Sequence, residues 1–167
     1  MFARAVAATI APTHPLRRND MSTMVSPSAA RVRNQRVWTE SAERLYSGRI
    51  DEFLELWRED GRYEVAYPIA GFPAAVEGRE ALGALFAGFG AAARSIAVHE
   101  VRFHQTDDPD VAFVEERMVA ELHDGGRYEN RLVMRVTFRD GLIAEVLEYY
   151  GEVAHRDLLR RLGLVGG

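Results

Sequence analysis

Residues 128–138, YENRLVMRVTF, and the stretch that follows, RDGLIAEVLEYY at 139–150, decide how this chain is read. Taking every second residue of the first segment puts Tyr128, Asn130, Leu132, Met134, Val136 and Phe138 on one face. The other face holds Glu129, Arg131, Val133, Arg135 and Thr137. A period of two with one apolar side is the pattern of a half-buried antiparallel strand. One residue breaks it, because Asn130 places a carboxamide among apolar neighbours. A buried amide without partners costs about 1–3 kcal/mol, so it must meet either the protein or a ligand.

The turn Arg139-Asp140-Gly141 sets which side chains of the two strands meet. A three-residue loop pairs Phe138 with Leu142, Val136 with Ala144, Met134 with Val146, Leu132 with Glu148 and Asn130 with Tyr150. On that register Glu148 lies on the apolar face, diagonal to Asn130. A two-residue loop turns Glu148 outward, since a slip of one residue moves a whole strand to its other face. The three-residue register is preferred because it keeps small and apolar residues together.

Working outward, three more strands carry the same period, at about 95–105, 110–123 and 62–67, with TDDPD and HDGG as turns. Upstream of most of these the period is helical. NQRVWTESAERLYS (34–47) spaces Val37, Trp38, Ala42, Leu45 and Tyr46 along one side and ends at Gly48. Asp51 can cap DEFLELWRE (51–59), and GREALGALFAGFGAAA (78–93) places Leu82, Leu85, Phe86 and Phe89 together. A short final helix is expected at 152–162. Helices first and a run of strands afterwards predict an α+β domain, with helices on one face of a mostly antiparallel sheet.

Composition excludes several chemistries. The chain has no cysteine, so thiolate nucleophiles, disulfides and Cys-based metal sites are absent. It has no lysine either, which removes side-chain Schiff-base chemistry. No two of its five histidines stand at i, i+4 on a predicted helix, so a zinc-protease motif is missing. No apolar run is long enough to cross a bilayer. Residues 34–167 hold 16 arginines against 24 acids, a poor surface for nucleic acid. Residues 1–33 are rich in Ser, Pro and Ala, lack a sustained period and read as a disordered tail ahead of the domain at 34–167. The order of charge and apolar run there is wrong for a secretory signal, so a start at Met21 or Met24 and a cytoplasmic location are expected.

The order of elements, the EGREAL helix start (77–82), the YENR strand (128–131) and DGLIAEVLEYYGEV (140–153) together resemble the SnoaL-like branch of the NTF2-like superfamily. Polyketide cyclases and phenazine-biosynthesis proteins belong to that branch, with ketosteroid isomerase among wider relatives. The resemblance implies an NTF2-like cone, three N-terminal helices packed on a curved sheet, a pocket between them, a homodimer and no cofactor. It implies that Glu148 matches the pocket Glu on the family's last strand, although the Asp-Pro expected after that motif is missing. Ketosteroid isomerase chemistry does not carry over. Tyr67 stands before Pro68 where the general-base Asp is expected, and Met134 falls near the oxyanion-hole Asp.

The candidate site therefore consists of Glu148 and Glu116 as acid–base groups. Glu116 shares a stripe with Ala112, Val114, Met118, Ala120 and Leu122. Two carboxyl groups in one pocket drive their pKa values apart. Asn130, Tyr128, Tyr67, Tyr63, His99 and Tyr150 are candidate ligand contacts. The expected ligand is a small hydrophobic or aromatic metabolite, handled by an isomerase, cyclase or dehydratase. A non-catalytic binding protein or a dimerisation module on the same scaffold is the alternative.

Overall fold

The computed structural model describes residues 26–165; the tail expected over the first 25 residues lies outside them. Helix α1 runs Pro27–Tyr46, seven residues earlier than the apolar period indicates. Ser26 caps it by accepting a hydrogen bond from the Ala29 N–H, and Pro27 occupies the first turn. Residues 27–33 thus extend the first helix and are not tail. Helix α2 (Ile50–Glu55) is shorter than expected, because Trp57 opens strand β1 (Trp57–Val65). There Trp57 pairs with Ile143 and is buried. A short strand β2 (Ala75–Glu77), not anticipated from the sequence, pairs antiparallel with β1 and leads into α3 (Arg79–Ala92).

The remaining strands are β3 (Ala93–Gln105), β4 (Val111–Leu122), β5 (Arg127–Arg139) and β6 (Leu142–Tyr150), followed by helix α4 (Glu152–Arg161). They form one six-stranded sheet in the order β2-β1-β6-β5-β4-β3. Only the β1–β6 pairing is parallel. Apolar residues of all four helices and of the inner sheet face meet in one core, from Val37 and Phe53 through Leu82, Val114 and Val136 to Leu158. This mixed α+β architecture is the expected cone, with a fourth helix added at the C-terminus.

The β5–β6 hairpin corrects the expected register. Arg139 pairs with Leu142 across a two-residue loop in which Asp140 and Gly141 both have positive φ, 55° and 80°. Such a turn matches the right-handed twist of the strands and suits Asp-Gly. Taken alone it would turn Glu148 outward. Phe138 pairs with Ile143 but Thr137 with Glu145, so Ala144 is an extra residue that restores the parity. Glu148 therefore faces inward beside Met134, with Leu132 opposite Tyr150.

A second irregularity moves His99. Ile96 and Val98 face Ala120 and Met118, after which the β3–β4 register skips between His99 and Arg102. Glu100, at φ 57°, and Val101 together stand opposite Glu116, so β3 carries one extra residue and its alternation reverses there. The stripe expected through Ala97, His99 and Val101 is broken there, and His99 is exposed opposite Arg117.

Candidate functional site

Glu148 lies near the end of β6, with β5 on one side and β1 on the other. Its backbone is fixed by pairing with Met134 and Val65, and its carbonyl accepts from the Ala66 N–H at 2.8 Å. The side chain lines two adjoining chambers. The inner one, about 80 Å³, lies among Trp38, Tyr46, Phe53 and Trp57. The outer one, about 550 Å³, is walled by Phe72, Leu85, Tyr128, His155 and the leucines of the C-terminal segment. Tyr63, Phe86, Phe89, Met118 and Leu132 border both. Among the described residues no charged partner offsets the desolvation of the Glu148 carboxyl, which pushes its pKa from 4.5 up to about 8.

Glu116 is buried on the same sheet face, opposite Leu132. Two strand spacings, roughly 10 Å, separate the strands carrying the two carboxyl groups, so they are not a hydrogen-bonded dyad. One Glu116 oxygen accepts from the Tyr46 hydroxyl at 2.5 Å, and the other is enclosed without a partner. Burial raises the Glu116 pKa, and the hydrogen bond from Tyr46 opposes that rise. Tyr46, the last residue of α1, is driven well above the ordinary tyrosine value, first by burial and then by Glu116, with a smaller push from Glu148. Its ring lines the inner chamber, so the phenol stands between one carboxyl group and the space bordered by the other.

Tyr128 and His155 form the polar edge of the outer chamber. The Tyr128 hydroxyl accepts from the Asn130 amide at 3.0 Å, and burial raises its pKa to about 12. His155 stacks on Tyr150 with ring centroids 4.1 Å apart. Its Nδ1 lies 3.5 Å from the Tyr128 hydroxyl, Nε2 is enclosed without a partner, and desolvation lowers its pKa to about 4.

Four of the expected ligand contacts lie elsewhere. Asn130 closes the chain onto itself: its Oδ1 accepts from the Gly151 N–H at 2.9 Å, and its amide donates to the Gly151 carbonyl and to Tyr128, each at 3.0 Å. It faces Met118, not Glu148, and anchors the start of α4. Tyr150 donates to the Tyr67 carbonyl at 2.6 Å and supports His155 from behind. Tyr67 is 59% exposed and meets Tyr149 edge to face. His99 is on the outer surface for the reason given above. Tyr46 and His155 were not singled out from the sequence. Their partners stand 70 and 27 positions away, and no local pattern announces contacts of that range.

The fold and chamber define an α+β cone with an apolar interior and one solitary carboxyl group facing into it. The chain belongs to the SnoaL-like domain family, which matches residues 38–146. No curated protein matches it significantly. Among solved structures it is similar to a phenazine biosynthesis-related protein from Pseudomonas aeruginosa, with 20% identity, 87% of this chain and 90% of that one covered, and a TM-score of 0.66. It is also similar to Δ5-3-ketosteroid isomerase from a Mycobacterium species, with 20% identity, coverage of 73% and 95%, and a TM-score of 0.64. RV0760c from Mycobacterium tuberculosis, solved in complex with estradiol-17β-hemisuccinate, shares 22% identity, coverage of 71% and 94%, and a TM-score of 0.62. Identities this low establish the shared fold and nothing finer.

Proposed function

We propose that this protein is a cofactor-independent acid–base enzyme, an isomerase, cyclase or dehydratase, acting on a small hydrophobic or aromatic metabolite. One observation carries the reading: among the described residues Glu148 has no charged partner, and it stands where two apolar chambers meet. A carboxyl group with a pKa near 8 holds its proton at neutral pH and gives it to an oxygen or carbon of the substrate. Its conjugate base then takes a proton back, so the cycle closes without an added oxidant or metal. Tyr46, braced by Glu116, is the positioning element at the inner end, while Tyr63 and Tyr128 form the wall. Asn130 and Tyr150 act indirectly by holding α4 and His155 against the outer chamber.

The test is proton exchange. A panel of enolisable cyclic ketones in D2O is expected to incorporate deuterium at the α-carbon with the wild-type protein and not with Glu148→Gln, while both proteins bind the ketones. Equal exchange by the two would overturn the role of Glu148. Binding without exchange in either would favour the second reading, a non-catalytic binding protein. That reading gains support from the steroid derivative bound by RV0760c.

A homodimer built on the outer sheet face belongs to the same proposal, since Phe113 and Val133 are exposed there. They lie among the ion pairs of Arg117 and Arg131 with Glu100. Sedimentation of the wild type against Phe113→Glu tests it. A cytoplasmic location is proposed as well; among the described residues no helix is long and apolar enough to cross a membrane.

A further inference from the structure

We infer that the Glu148 chamber takes an uncharged ring compound bearing a carbonyl or hydroxyl oxygen, and turns away both carboxylates and ammonium ions. This rests on the proposed ligand-binding role of the chamber and adds the charge class of its ligand.

Among the described residues no arginine lines either chamber, and the chain contains no lysine. Two of the three arginines of α4 are paired outside, Arg156 with Glu152 and Arg161 with Asp157 and Asp124, and the third, Arg160, is exposed and lines neither chamber. A ligand carboxylate entering the chamber would lose its water and gain no cation, an arrangement that buried anions do not tolerate. The titratable groups facing the interior are Tyr46 on α1, Tyr63 on β1, Tyr128 on β5, Glu148 on β6 and His155 on α4. Glu116 on β4 stands behind Tyr46. Five of these are held toward their uncharged forms by the apolar surroundings. Burial raises the two carboxyl groups and the Tyr46 and Tyr128 phenols, and lowers the His155 imidazole.

The same burial decides against a cation. An ammonium ion would require Glu148 to give up its proton and both charges to lie desolvated in an apolar chamber, a combination whose Coulombic gain is offset by the loss of hydration. A protonated Glu148, by contrast, is a hydrogen-bond donor that lacks an acceptor, and a ketone or hydroxyl oxygen supplies one. Size sets the body of the ligand. An apolar cavity of about 150 Å³ takes a benzene molecule, so the outer chamber at about 550 Å³ accommodates a fused ring system.

Three probes of one shape and different charge test this: 2-acetylnaphthalene, 2-naphthoate and 2-naphthylmethylammonium, titrated into the full-length protein at pH 6.5 with tryptophan fluorescence as the readout. The ketone is expected to bind about 100-fold tighter than either ion. Naphthoate or the ammonium ion binding as tightly as the ketone would overturn the inference and leave the proposed acid–base function standing. If none of the three binds the folded protein, the chamber is not a ligand site, and both readings fall together.

Discussion

Replacing Glu148 by Gln keeps the shape of the side chain and removes its titration, and that difference carries a defined pH signature. In the unfolded chain the carboxyl group ionises around 4.5; in the native chamber it holds its proton to about 8. Below 4.5 both states are protonated and the shift has no effect on stability. As pH rises, the unfolded state releases its proton first, so the native state loses stability relative to it until about pH 8, where the loss levels off. Each pH unit in that window is about 1.4 kcal/mol, so from pH 5 to pH 8 the wild type loses about 4 kcal/mol that Glu148→Gln does not. Urea unfolding of both proteins at half-unit steps from pH 5 to pH 9 measures it. Glu116 and His155, which also titrate with burial, are present in both proteins and cancel in the difference. A stability difference that stays flat within about 0.5 kcal/mol over this range would refute the claim that Glu148 is desolvated and without a charged partner.

Other substitutions probe the supports of the site. Tyr46→Phe leaves both Glu116 oxygens unpaired and is expected to destabilise the fold by about 1–3 kcal/mol while raising the Glu116 pKa further, as read from unfolding at pH 5 and pH 7. Asn130→Ala frees both backbone groups of Gly151 and should cost about 2–3 kcal/mol in denaturant unfolding. Gly151→Ala would set a Cβ 2.7 Å from the Asn130 Oδ1 and should be harmful for the same reason. The double variant should lose less than the sum, since both changes break one junction. Gly141→Ala puts a side chain on a residue at φ 80° and 3.1 Å from the Arg33 Nε, and is expected to lower stability by about 1–2 kcal/mol. Asp140→Gly, at φ 55°, should leave stability unchanged or slightly higher by thermal melting.

The fold was legible because its signals are local. Alternation over β4, β5 and β6 and the helical spacing over α3 each survive in the structure to within a few residues, as does the C-terminal end of α1. The start of α1 was also written in the sequence, as Ser26 followed by Pro27, but the apolar period weakens there because Val32 faces solvent. The bulges were not legible. The extra residue Ala144 kept Glu148 inward although the loop was one residue shorter than expected, whereas the one extra residue at Glu100-Val101 left His99 on the face opposite to that of Phe103. A strand pattern fixes a face only until the next inserted residue, and nothing in composition marks the insertion. Asn130 shows a different limit. Its place on the core face was read correctly and its partner was not, because the Gly151 backbone comes within reach only when β6 turns into α4. Glu148 and α4 also lie beyond the segment matched by the family, so the chemistry proposed here rests on this chain's own geometry.

The most direct test of that geometry is a 13C NMR titration of the Glu148 side-chain carboxyl, assigned by its absence in Glu148→Gln. A midpoint near pH 8 is the predicted result. A midpoint near the ordinary glutamate value of 4.5 would mean that water or a charged partner reaches the group, and the acid–base account of the chamber would be contradicted.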